Sequence, residues 1–95
     1  MPILQIEHSS RDFDAWKRAF DSDPIGREQG GVRRYRILRP IDDPNYVIVD
    51  LEFDSPSEAE TFRDALRELW RRIETEGLIA SPHARIVEAV ETKEY

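Results

Sequence analysis

Arg34 and Arg36 stand one residue apart in the segment Val32 to Arg39, and Asp50 and Glu52 stand one residue apart in Asn45 to Phe53. Side chains two positions apart on a strand share a face. If the two segments form a hairpin, the guanidiniums lie across from the carboxylates, the arrangement that opposite charges favour. With Tyr46 on the same face, such a cluster would hold a polar ligand through Arg34, Arg36 and Tyr46 and exchange protons with it through Asp50 and Glu52. The same residues would equally serve as an ion-pair network that fixes register or neutralises a subunit interface. A slip of one residue would bring Arg33 and Tyr35 onto this face instead.

Three further groups could touch a ligand. Trp70 follows Leu69 on a helical pattern and either roofs a cavity or widens the apolar face. His83, after Ser81-Pro82, is an acid-base candidate in what reads as a connector. His8 falls on the side of Leu4 and Ile6 and reads as a buried or capping histidine, and Trp16 reads as core. The loop Asp23 to Gly31 contains three glycines but matches neither phosphate-loop pattern, which leaves it a surface loop or a cavity rim. No Gly-x-Ser-x-Gly, His-Glu-x-x-His or calcium-loop spacing occurs in the chain.

The elements that must position these residues follow from periodicity. Ile3 to His8 reads as a strand. A helix follows it, capped by Ser10 or Asp12, with Phe13, Trp16 and Phe20 on one stripe. Gly30-Gly31 frees the chain to enter the second strand, Val32 to Arg39, and the turn cluster Pro40 to Pro44 returns it into the third, Asn45 to Phe53. There Val47, Val49, Leu51 and Phe53 alternate with Tyr46, Ile48, Asp50 and Glu52. Ser55, Pro56 and Glu58 form a helix start. Ala59, Phe62, Leu66, Leu69 and Ile73 then continue at spacings of three and four until Gly77. Leu78 to His83 is a connector, and Ala84 to Glu91 a fourth strand. The order β-α-β-β-α-β predicts a ferredoxin-like α+β fold in one domain, with four antiparallel strands, both helices on one face and the other face open.

Composition narrows the function classes. The 95 residues carry a formal net charge of -6, which disfavours nucleic acid and anionic membrane partners. An RNA-binding module of this topology would need exposed aromatics on a basic surface. No apolar run approaches the ~20 residues of a membrane span, and Met1 to His8 has no signal-peptide core, so a cytoplasmic protein is expected. There is no cysteine and there are only two histidines, which excludes thiolate chemistry and a multi-histidine metal site within one chain. No cofactor is expected.

Several stretches resemble the dimeric α/β-barrel superfamily, which includes the antibiotic-biosynthesis monooxygenases and small proteins labelled cyclases. They are Asp12-Phe13-x-x-Trp16-Lys17-x-x-Phe20-Asp21, Gly31-Val32-x-x-Tyr35-x-Ile37, Asp50-Leu51-Glu52-Phe53 and Ser57-Glu58-Ala59-Glu60-x-Phe62. The resemblance implies a homodimer whose paired sheets form a barrel, with each open face lining a cavity for a small aromatic or polyketide-like ligand. It further implies cofactor-independent oxygenation or cyclisation. Members of this kind use a polar residue on the first strand, a tryptophan on the second helix and often a histidine after it, which here match Gln5 or Glu7, Trp70 and His83. The first-strand asparagine of haem-degrading relatives has no counterpart. A non-catalytic ligand-binding or interaction dimer is the alternative.

Overall fold

The computed structural model describes residues 1–75 and 77–95. The chain runs β1 (Pro2–Ser10), α1 (Phe13–Asp21), β2 (Val32–Leu38), β3 (Tyr46–Phe53), α2 (Pro56–Thr75) and β4 (Ile79–Glu88). All pairings are antiparallel, and the strand order β2-β3-β1-β4 puts the two hydrophobic central strands, β3 and β1, between the edge strands β2 and β4. This is the expected ferredoxin-like fold. Buried Leu4 and Ile6 of β1 join Val47, Val49, Leu51 and Phe53 of β3 on the helix side, with Trp16, Ala59, Phe62 and Trp70 packed over them.

Local chemistry explains the element ends. Asp12, rather than Ser10, caps α1: its carboxylate accepts the amide of Ala15 at 3.1 Å. Ser10 instead donates its hydroxyl to the Asn45 carbonyl at 2.6 Å. At the start of α2, the Ser55 hydroxyl caps the helix by accepting the Glu58 amide at 3.3 Å, and it donates to the Glu58 carboxylate at 3.1 Å. At its end, Gly77 takes φ +78° and the Leu78 amide returns to the Ile73 carbonyl at 3.2 Å. Gly31, at φ +98°, also lies so close to Glu58 that an added Cβ would stand 2.5 Å from its carboxylate oxygen. That approach ties the entry of β2 to the cap of α2.

Two strand boundaries differ from the sequence expectation for one physical reason. Between Ser9 and Glu7, β1 advances two residues while β4 advances three, from Ala80 to His83. The extra residue is a bulge at Ser81-Pro82, with Ser81 at φ +54°. Residues that read as a connector therefore belong to β4, which starts at Ile79 and ends at Glu88, not at Ala84 and Glu91. His83 is a strand residue opposite Glu7. The bulge also reverses the alternation: Ile79 faces the core before it, Ala84 after it, and His83 goes to the open face. A second bulge near Arg33 precedes the β2–β3 register Arg34↔Glu52 and Arg36↔Asp50, so the unslipped pairing holds and Arg33 pairs with Asp54 at 2.5 Å.

Candidate functional site

The open face carries an ordered row of charge. Arg34 grips Glu52 through two nitrogens, and its donated bonds, with its charge, hold the Glu52 carboxyl below the usual carboxylate range. Arg36 reaches Asp50 at 3.1 Å through Nη2. Asp50, only 7% exposed, accepts the Gln5 amide on its other oxygen at 3.2 Å. Arg85 donates to the Gln5 side-chain oxygen at 2.9 Å and reaches Glu7 at 3.5 Å. Tyr46 donates its hydroxyl to Glu7 at 3.2 Å. Burial, with the Glu7 charge behind it, pushes the Tyr46 phenol up, so it stays a donor. Arg34, Arg36, Asp50 and Glu52 thus come together as expected, and they satisfy one another.

Tyr46 and His83 belong to a different constellation. With Glu7, Arg67, Arg85 and Trp70 they line a cleft of about 660 Å³ at the β4 border of the sheet. Trp70 is 6% exposed. It sits on the buried stripe of α2, a position that the spacing argument gave to Leu69 and that the structure gives to the indole. The site candidates therefore divide: Tyr46, Trp70 and His83 share this cleft, while Arg34, Arg36 and Glu52 lie outside it.

Beneath the helices is a second space, about 280 Å³ and mostly apolar. Trp16, Phe20, Leu66, Trp70 and Ile73 wall it, and Pro24, Ile25 and Arg27 of the loop after α1 form part of its rim. The loop is held there by Arg27, which donates to the Phe20 carbonyl at 2.7 Å and stacks 3.9 Å above the Phe20 ring. His8 also lines this cavity. It is 2% exposed, with Trp16 at 5.6 Å and Trp70 at 6.5 Å between ring centroids, both edge-on.

The chemistry of His8 follows from its contacts. Its Nδ1 lies 3.1 Å from the Ser9 carbonyl, an acceptor only, so Nδ1 carries the proton. Nε2 then presents a lone pair, and among the described residues no hydrogen bond reaches it. Burial lowers the pKa of the imidazole, against the smaller opposing effect of the backbone bond, so it is neutral at pH 7. A neutral imidazole with a vacant acceptor in an apolar aromatic cavity is a candidate proton acceptor, although burial makes it a weaker base than in water. The sequence placed His8 on the buried side. It held no signal that Trp16 and Trp70, 54 residues apart in the chain, would converge on it.

Among the described residues, no helix is long and apolar enough to cross a membrane, and no group of three or more histidines and carboxylates could hold a metal ion. No family model and no curated protein matches the sequence. Solved structures do match its fold. The cofactor-independent oxygenase SnoaB from Streptomyces nogalater, in a single-site variant, aligns with a TM-score of 0.72 at 16% identity, covering 96% of this chain and 94% of that one. A candidate antibiotic biosynthesis monooxygenase from Nitrosomonas europaea aligns at 0.66 and 19% identity, covering 96% and 100%. A dimeric ferredoxin-like protein from an uncultured marine organism aligns at 0.68 and 8% identity over the whole of both chains. The chain is similar in fold to all three.

Proposed function

We propose that this protein is a homodimeric, cofactor-independent oxygenase of small phenolic aromatics, and that the reaction takes place in the cavity between the helices and the sheet. The observation that carries the reading is His8, neutral and with Nε2 unpartnered, set between Trp16 and Trp70 on the wall of an apolar space. The volume lies at the small end of ligand cavities, which run from roughly 300 to 1,000 Å³, and suits one or two fused rings. The tryptophans offer flat, low-entropy contact to such rings.

His8 Nε2 removes the proton of an enolisable ring ketone or its phenol tautomer, leaving a delocalised anion. That anion is the reductant. It passes one electron to dioxygen, and the substrate radical and superoxide combine to form a carbon-oxygen bond. The resulting peroxide takes a proton, loses its carbon-bound hydrogen and breaks its O–O bond. The products are a carbonyl and water, so that CH₂ and O₂ become C=O and H₂O. His8 returns to neutral in the last transfer. An apolar wall favours the charge-dispersed anion over the phenol's ordinary solvation and keeps bulk water from the radical pair.

In this reading the base is His8 rather than Asp50, Glu52 or His83. Asp50 and Glu52 each already accept from arginine, and the Arg34 bond holds the Glu52 carboxyl below its ordinary value, which makes it a weaker base. Arg34, Arg36, Asp50 and Glu52 instead form the floor on which a second copy of the chain packs; what supports a second copy is that one structural neighbour is described as dimeric. A carrier that binds the same aromatic without oxidising it would use the tryptophans but have no need of His8.

Oxygen uptake with 1-naphthol, a two-ring phenol whose ketone tautomer carries the CH₂ that the step converts to C=O, tests the assignment. The wild-type protein should consume oxygen, and His8→Leu should lower kcat by about 10²–10⁴-fold while retaining substrate binding. Full activity in His8→Leu would refute the base, and substrate binding without any uptake in the wild type would favour the carrier.

A further inference from the structure

The cleft at the β4 border is built differently from the cavity beneath the helices, and Trp70 is the wall between them. On its outer side converge Arg67 and Arg71 from α2 and His83 and Arg85 from β4. Glu7 is the one carboxylate among the lining residues, and it is already engaged by the Tyr46 hydroxyl and by Arg85. Arg71 stands 3.0 Å from Glu68. Arg67 has no ion pair among the described residues. The whole chain has a formal charge of -6, so this concentration of cationic side chains in a concave site runs against the protein's overall field. A concave site lined by one sign of charge focuses potential on a ligand of the opposite sign.

Backbone geometry supplies a second reason to regard the cleft as built. The bulge that holds Ser81 at φ +54° is what turns His83 to the open face. A non-glycine residue in the left-handed region costs free energy, and such strain collects where a side chain must be re-aimed. Without the extra residue, His83 would point toward the helices and away from Arg67 and Arg85.

We infer that this cleft is a second ligand site, which binds a small aromatic carboxylate with its anionic end among Arg67, Arg85 and His83 and its ring against Trp70. Guanidiniums are suited to the carboxylate because they donate two parallel hydrogen bonds to it. The site stands apart from the oxygenase reading: it needs neither His8 nor catalysis.

Benzoate is the probe, with benzamide as its uncharged isostere and sulfate as an anion without a ring. In a Trp16→Phe background, Trp70 is the single fluorescent indole, and its emission reports binding directly. Benzoate should bind at least tenfold more tightly than benzamide or sulfate. The double substitution Arg67→Ala with His83→Ala should weaken it at least tenfold with far-UV circular dichroism unchanged. His8→Leu should leave its affinity as it was. Equal binding of benzamide would overturn the anion assignment, and equal binding of sulfate the aromatic one. Affinity that falls with His8→Leu and not with the double substitution would place benzoate in the inner cavity and overturn the second site, with the oxygenase reading still standing.

Discussion

On the helix side of the sheet, Leu4, Ile6, Val47, Val49, Leu51 and Phe53 are buried together with one ionisable side chain, His8, whereas the open side carries two hydrogen-bonded groups, Arg34 with Glu52, and Arg36 through Asp50 and Gln5 to Arg85 and Glu7. The same four strands make both faces, since alternation sends neighbouring residues to opposite sides. The difference lies in how each side treats a polar group. The open side satisfies its charges with one another and keeps the arginines largely in water. The helix side leaves one acceptor nitrogen unpaired at a cavity wall. Among the described residues the fully enclosed side-chain atom without a partner is Arg63 Nε, not His8 Nε2, so the imidazole lone pair opens onto the cavity, and the less charged face is the better candidate for chemistry.

The comparison breaks most severely at the core. Phe53 is fully buried and its ring lies 5.7 Å from that of Phe62, so Phe53→Ala should cost about 3–5 kcal/mol in urea unfolding. For a chain of this size, that is a large share of the stability. A loss below ~1 kcal/mol would show that the helix side is loosely packed and that its cavity is not a shaped site.

A smaller loss should follow on the open side at Arg36. Removing the guanidinium leaves buried Asp50 with the Gln5 amide alone, so Arg36→Met should destabilise by about 1–3 kcal/mol, the cost of an undersatisfied buried group. Adding Asp50→Asn should restore most of it, because the remaining amide no longer carries a charge. If the double variant is as unstable as the single, the arginine stem is packing and its charge is incidental. Sedimentation of the same proteins tests the proposed dimer: self-association in the wild type that is lost in Arg36→Met with retained folding would locate a partner copy on this face.

Much of this layout is legible in the sequence because it is local. The alternation in Tyr46 to Phe53, the Ser55-Pro56-Ser57-Glu58 start and the turn cluster between β2 and β3 each specify their geometry within a few residues. That is why the Arg34–Glu52 and Arg36–Asp50 pairs come out in register. Ser81-Pro82 misleads for a physical reason. Proline and a left-handed serine normally punctuate a chain, but on an edge strand with a bulge both fit inside the ladder, and His83 becomes a strand residue. Trp70 and Leu69 both satisfy helical spacing to within one position, so only packing against β1 decides which is buried. The convergence of Trp16, Trp70 and His8 is wholly tertiary, and with it the cavity was out of reach of any pattern in the chain.

The finest contrast between the faces is in acid. His8 has a pKa lowered by burial, so the unfolded chain takes up a proton before the native one does. The stability it permits is complete above the ordinary histidine value of about 6.5 and is lost as pH falls through that value. Glu52 is lowered by the Arg34 hydrogen bond, so its contribution is complete above the ordinary glutamate value of about 4.3 and is lost only as pH falls below it. Tm against pH should therefore decline in two windows, the upper belonging to the helix side and the lower to the open side. Relative to wild type, His8→Leu should flatten the upper window alone, and Arg34→Met the lower window alone, because without its partner the Glu52 carboxyl returns toward its unfolded value. An upper decline that survives His8→Leu would mean that another group carries that window, and the assignment of His8 as an imidazole held neutral by burial, with its lone pair free for a substrate's proton, would lose its support.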